Sequence, residues 1–271
     1  MEELRGLFQY RDLVFQLIRR DVVSRYKRSV LGIAWTMLQP LGMMLILTLV
    51  FSQLFHRVHG FSVYLLSGLI AWTFFSQTTQ AAMRQMVWGG ALLKHIYLPR
   101  TAFVVAAVGT GLVNLALSIV PLLIVMLLSG VPIRGSIFVL PYSVLLLTTF
   151  SLGVALLLST VAIYFPDVAE MYQVVLYGWM YLTPIIWPKD IIPESAHIQL
   201  AQLWTINLNP RYWLLNLNPM YHLVEVFRLP VYDGVAPNWP TLAFSTVMAF
   251  LALLIGWFVF CSKADEFTYR T

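Results

Sequence analysis

Cysteine is nearly absent from this chain of 271 residues. Cys261 stands alone, which excludes an internal disulfide and a cysteine-held metal cluster. Charge is scarce as well: Asp, Glu, Lys and Arg make up 11% of the residues, against about 25% in a soluble domain. No glycine is followed by lysine, so the chain has no Walker A loop, and any ATP-driven work would need another chain to hydrolyse the ATP. Neither a His-Glu-x-x-His helix nor a nucleophile elbow occurs, and the aspartates are too scattered to pair around a metal-bound diphosphate. No catalytic residue is therefore expected. His56 and His59 flank Arg57, but two histidines without further ligands do not make a metal site.

What is present is hydrophobic. Such residues form 59% of the chain and the mean hydropathy is +0.77, which marks an integral membrane protein. The net charge of +5 and pI near 9.4 do not point to nucleic acid, because the cations cluster at the ends of apolar runs. Runs free or nearly free of charge span residues 29–55, 61–83, 101–132, 135–166, 171–188 and 241–262. They predict an all-α integral membrane protein of about six transmembrane helices, a single domain over residues 1–271. Lys and Arg orient it. Arg5, Arg11, Arg19, Arg20, Arg25, Lys27 and Arg28 precede the first run, and Arg84, Lys94 and Arg100 follow the second. The opposite loops carry Arg57 and Arg134. Both termini are thus expected in the cytoplasm and residues 189–240 outside.

The N-terminal residues 1–28 read as a helix at the cytoplasmic interface. Tyr10, Leu13, Val14, Leu17, Ile18 and Val22 recur at helical spacing, with Arg11, Gln16, Arg19 and Arg20 largely opposite. The basic stretch is too long for a secretory signal and no small-residue cleavage site follows, so the segment is expected to be retained. Its cations Arg19, Arg20, Arg25, Lys27 and Arg28 suit phosphate groups, by attraction to anionic headgroups or by charge-assisted hydrogen bonds to a ligand.

Residues 89–100 can form a short helix with Leu92, Leu93, Ile96 and Tyr97 on one face, stopped by Pro99. Such a helix fits a partner's groove; an ordinary loop with Lys94 and Arg100 snorkelling to headgroups fits equally. In the fifth run, Gln173, Tyr177, Tyr181 and Pro184 share a helical face at mid-membrane depth, where a phenol needs a partner or water. Those rings suit a translocation path along which sugars slide, or interhelical packing. Gln39, Ser76, Gln77, Thr79 and Gln80 are further polar candidates. The external segment holds a near-repeat, Asn207-Leu208-Asn209-Pro210 and Asn216-Leu217-Asn218-Pro219. Each Asn-Pro reads as a helix N-cap followed by proline in the first turn. The second copy predicts a helix reaching Arg228, with Leu223, Val224 and Phe227 in the outer membrane face.

Taken in order, Tyr10-Arg11-Asp12-Leu13, Arg25-Tyr26-Lys27-Arg28-Ser29-Val30-Leu31-Gly32, Trp35 to Pro40, Leu92-Leu93-Lys94, Tyr97-Leu98-Pro99-Arg100, Pro166-Asp167-Val168, Thr183-Pro184-Ile185, Asn218-Pro219-Met220 and Phe227-Arg228 cover nearly the whole chain. This set resembles the permease subunits of bacterial ABC transporters that export lipid-linked polysaccharides such as O-antigen, capsule or teichoic acid. The resemblance implies a multi-pass protein of the bacterial inner membrane, working as a homodimer beneath which two ATPase subunits bind ATP and Mg. It implies no cofactor on this chain, and it makes the lipid diphosphate of the substrate a candidate partner of Arg19, Arg20, Arg25, Lys27 and Arg28, beside the anionic headgroups. It makes residues 89–100 a coupling helix, with Leu92, Leu93, Lys94, Ile96, Tyr97 and Arg100 toward the ATPase. Residues 189–240 become an external gate region of short helices carrying Asn218, Pro219 and Arg228, and Gln39, Gln77, Gln173, Tyr177 and Tyr181 fall along the path. A permease of the same architecture for a drug or simple lipid, or a membrane enzyme acting on polyprenyl phosphates, are the alternatives.

Overall fold

A computed structural model of the chain describes residues 9–27, 31–55, 58–88, 100–189, 196–201, 204–208 and 215–263. Among the described residues, four helices are long and apolar enough to cross a membrane: α2 (Ala34–Phe51), α4 (Thr101–Leu128), α5 (Leu140–Tyr164, entered through a 3-10 turn, Gly135–Val139) and α8 (Trp239–Lys263). They follow a shorter helix, α1 (Arg11–Tyr26). Between them run α3 (Phe61–Trp88), α6 (Val168–Leu182) and α7 (Pro219–Arg228).

α3 organises the bundle. It packs against α2, α4, α5, α6 and α7, and Val63, Leu65, Leu66, Ala71 and Phe75 along it are fully buried. That position explains its composition. A helix sheathed by other helices need not match lipid in apolarity, so Ser67, Thr73, Gln77, Thr78 and Thr79 are accommodated where a lipid-facing helix would expose them. α2 is the opposite case. Only Pro40 and Met44 of its 18 residues are buried, and Leu45, Ile46, Leu49 and Val50 face outward.

α1 turns its apolar stripe onto the protein. Leu17, flanked by Leu13, Val14 and Ile18, packs on Ala82 and Met86 of α3 and on Phe103, Ala106 and Ala107 of α4. Gly109 of α4 leaves the space that Ile18 occupies. Of the apolar stripe, Leu17 is buried and Leu13, Val14 and Ile18 are half-buried on this side of the helix.

α5 and α8 cross at contact distance. A Cβ on Gly153 would strike the backbone of Ala252, and one on Gly256 would strike the backbone of Gly153. Small residues at such a crossing exchange side-chain volume for close backbone packing, which drives helix association in lipid.

Two corrections fall in the segment after α6. The fold is all-helical as expected, but part of the segment read for short gate helices forms an antiparallel strand pair, β1 (Ala196–Ala201) and β2 (Trp204–Leu208), with Ile198 opposite Ile206 and an irregularity between Gln199 and Ala201. The alternation Trp204, Ile206, Leu208 carries the strand period of two. Asn207 and Leu208 of the first Asn-Pro copy therefore end a strand, and residues 209–214 lie outside the described residues. The second correction concerns α7. Leu223, Val224 and Phe227 are buried in the main core, not in an outer membrane face, because α7 inserts among α3, α5 and α8.

Candidate functional site

The outward row of α6 is the first element of the site. Tyr177 and Tyr181 are 61% and 66% exposed on the protomer, and Gln173 Nε2 donates to the Tyr177 hydroxyl at 3.4 Å. The opposite face of α6 anchors it. The Tyr172 hydroxyl shares a hydrogen bond with Thr79 Oγ1 at 2.9 Å, and the Trp179 ring stands edge-on to Trp72 and Phe75. The mid-helix aromatic set thus divides: Trp179 packs inward, while Tyr177 and Tyr181 point away from the bundle. Gln39 and Gln77 lie elsewhere, in a cavity between α2, α3 and α4. The five path residues therefore occupy two places.

The second element is a knot where α7 grips the end of α6. Asn218 caps α7, its Oδ1 accepting from the Met220 N–H at 3.1 Å, with Pro219 in the first turn as the spacing predicts. The same Oδ1 accepts from Trp179 Nε1 at 2.8 Å. Asn218 Nδ2 donates to Thr183 Oγ1 at 2.9 Å. One carboxamide therefore ties three segments. At the other end of α7, buried Arg228 donates from Nη1 to the Pro184 carbonyl at 2.8 Å, and its guanidinium carbon lies 3.8 Å from the centre of the Tyr64 ring. Gly68 leaves room for the guanidinium, since a Cβ there would strike Nη2. The Tyr64 hydroxyl donates to the carbonyls of Pro184 and Trp187, at 3.1 and 3.0 Å. Lys189 pairs with Glu225 at 2.6 Å beside the knot.

These contacts answer a single physical problem. Pro184 and the residues after α6 leave helical geometry, so their carbonyls lose helix partners and need donors in a buried setting. Arg228 and Tyr64 supply them. Asn218 and Arg228 were visible in the sequence, but Trp179 and Thr183 were not singled out as partners of Asn218, nor Tyr64 as that of Arg228. The one available signal was Pro184, whose turn demands donors from somewhere.

Titrating groups outside the spans are shifted around the knot. Burial pushes the His222 ring down from its ordinary value, opposed by its bond to the Asn216 carbonyl and by Glu225. Burial pushes the Asp233 carboxyl up, against the pull of Lys189.

The remaining predicted residues fall as follows. Arg19 and Arg20 are exposed on α1; Arg20 donates to Asp21 Oδ1 at 3.0 Å, and Asp21 Oδ2 accepts from Gln85 Nε2 of α3 at 2.7 Å. Arg25 lies in the last turn of α1 and Lys27 is exposed just beyond it, while Arg28 is outside the described residues. Leu92, Leu93, Lys94, Ile96 and Tyr97 are also outside them. Arg100 stands at the start of α4. His56 is outside the described residues too, and no group of three metal-binding side chains occurs among those described.

Comparison with known proteins decides the family. The description of ABC-2 type transporters matches residues 12–232. The chain belongs to the ABC-2 type transporter family. Among ABC-2 relatives, it is 26% identical to the O-antigen export system permease protein RfbA of Myxococcus xanthus over 265 residues, 97% of each chain. It is 25% identical to the polysialic acid transport protein KpsM of Escherichia coli over 250 residues, 89% of each. The capsule polysaccharide export inner-membrane protein CtrC of Neisseria meningitidis is 20% identical over 198 residues, 71% of this chain and 74% of that one. As an ABC-2 permease with four apolar crossing helices, the protein is a multi-pass membrane protein.

Proposed function

We propose that this chain is the membrane-spanning subunit of an ATP-driven exporter that moves a lipid-linked polysaccharide of the O-antigen, capsule or teichoic acid type across the bacterial inner membrane. The relatives support the substrate class, since RfbA, KpsM and CtrC are all named for surface-polysaccharide export or transport. In this reading α3 and α6 join the four apolar helices to make six spans, with both termini in the cytoplasm. Two copies face each other because one bundle cannot enclose a polymer-wide path. Two ATPase subunits, which bind ATP and Mg, seat on residues 89–100. The cations of α1 stand at the substrate entrance, and the knot of Asn218 and Arg228 holds the external gate.

The observation that carries the reading is the row Gln173, Tyr177 and Tyr181. A soluble-like packing role would bury these rings, yet they project from a helix whose other face is fixed by Tyr172, Leu176 and Trp179. Flat phenols with a free edge suit sugar faces, and hydroxyls suit sugar hydroxyls. The test is the double variant Tyr177→Ala with Tyr181→Ala. Glycan export should fall while dimer and ATPase assembly are unchanged; normal export would return both residues to packing.

A further inference from the structure

The cavity between α2, α3 and α4 is lined by Gln39 of α2, by Thr73, Gln77 and Thr78 of α3, and by Thr110 and Asn114 of α4, with no charged residue in its wall. Two of those hydroxyls behave unlike their neighbours. A helical threonine commonly satisfies its hydroxyl on the carbonyl one turn back. Thr79, Thr148, Thr149, Thr160, Thr183 and Thr246 all do so here. Thr78 and Thr110 are 1% and 7% exposed, and their Oγ1 atoms have no hydrogen-bond partner among the described residues. Thr78 Oγ1 instead lies against Gly111, in the seam between α3 and α4.

We infer that this cavity is a water site, holding a small ordered cluster hydrogen-bonded to Thr78 and Thr110. A buried hydroxyl without a partner costs about 1–3 kcal/mol, so two in the wall of one cavity call for a ligand that both donates and accepts. The cavity volume is about 70 Å³. That is room for on the order of two waters at about 30 Å³ each, and far below the roughly 300 Å³ of a small-molecule pocket. An uncharged wall gives no counter-charge for an ion, and a lipid tail would leave both hydroxyls unmet. The consequence falls on α2. It buries little besides Pro40 and Met44, and part of its seat on α3 and α4 is this wet seam. Hydrogen bonds to water exchange without stripping either partner bare, so α2 shifts against α3 and α4 at small cost.

Radiolytic hydroxyl labelling read by mass spectrometry tests this on the full chain in lipid nanodiscs, because activated water modifies the side chains beside it. Phe74 lines the cavity and Phe150 does not, while the two are equally buried, at 5% and 4% exposure. Phe74 should be modified several-fold faster than Phe150. Equal rates would overturn the assignment, and so would a slow Phe74 shielded by a lipid tail. In Thr78→Val with Thr110→Val, the Phe74 rate should drop toward that of Phe150; an unchanged rate would show that the hydroxyls do not hold the water. Should that variant fail to fold, the comparison within the native chain still decides. The outcome does not depend on what the exporter carries.

Discussion

α3 carries two polar clusters that solve the same problem in opposite ways. Near its start, Tyr64 and the gap at Gly68 receive Arg228, and the carbonyls of the turn at Pro184 are met by protein donors at close range. Further along, Thr78 lines with Thr110 a cavity where neither hydroxyl finds a partner among the described residues. A polar group met by protein is held in one geometry, whereas one met by water tolerates several. The first cluster is therefore a fixed clamp on the end of α6 and the second a seam that gives.

This difference can be broken by substitution, and the clamp should break hardest. Arg228→Gln removes a charge-assisted bond and a desolvated cation-π contact, each worth about 2 kcal/mol. We expect it to destabilise the protein by about 3–5 kcal/mol, seen as a marked loss of melting temperature and of export. Arg228→Lys should recover part of that through charge alone, though without the guanidinium fork. Next comes Asn218→Ala, which removes the cap of α7 and leaves the Trp179 N–H and Thr183 hydroxyl unmatched; about 2–3 kcal/mol is expected. Asn218→Asp should cost less, because it keeps the acceptor for Met220 and Trp179. The seam should barely register: Thr78→Val is expected to change stability by less than about 1 kcal/mol. A larger loss than that of Asn218→Ala would erase the contrast between clamp and seam.

The smallest effect is one of pH. Burial depresses the His222 pKa in the folded state, so at mildly acid pH the unfolded chain binds the proton more readily. The stability contributed by neutral His222 is thus fully present above its ordinary value near 6.5 and is lost as pH falls from there through the folded value. Melting temperature should decline modestly between pH 7 and pH 5, and His222→Gln should flatten that decline. A steeper decline in the variant would mean that another group governs it. Asp233 is shifted upward, so its own contribution runs the other way. It is present below its ordinary carboxylate value and is lost as pH rises through the folded value.

Much of this arrangement was legible in the residues, where local rules suffice. The Asn218-Pro219 pair announced the start of α7, and the step from Gln173 to Tyr177 and Tyr181 placed them on one face. What spacing could not say is which face meets protein. Trp179 lies within two residues of both tyrosines, yet it packs inward while they point out, a choice set by Trp72 and Phe75 on a helix a hundred residues earlier. Likewise Leu223, Val224 and Phe227 form a correct apolar stripe, and only the insertion of α7 among three helices turns it from lipid to core. The hairpin escaped notice because its short alternation at Ile198 and Ile206 lies inside a segment read for helix signals. Arg228 was picked out, but the need it meets belongs to the turn at Pro184 and to Tyr64.

The crossing of α5 and α8 constrains how this sequence can drift. At most packed positions a larger residue on one helix is offset by a smaller one opposite, so lineages wander through paired exchanges. Gly153 and Gly256 have no such route, because both are already the smallest residue and the obstacle to each is backbone. A second-site suppressor of Gly153→Val should therefore never arise at position 256; it would have to move a whole helix.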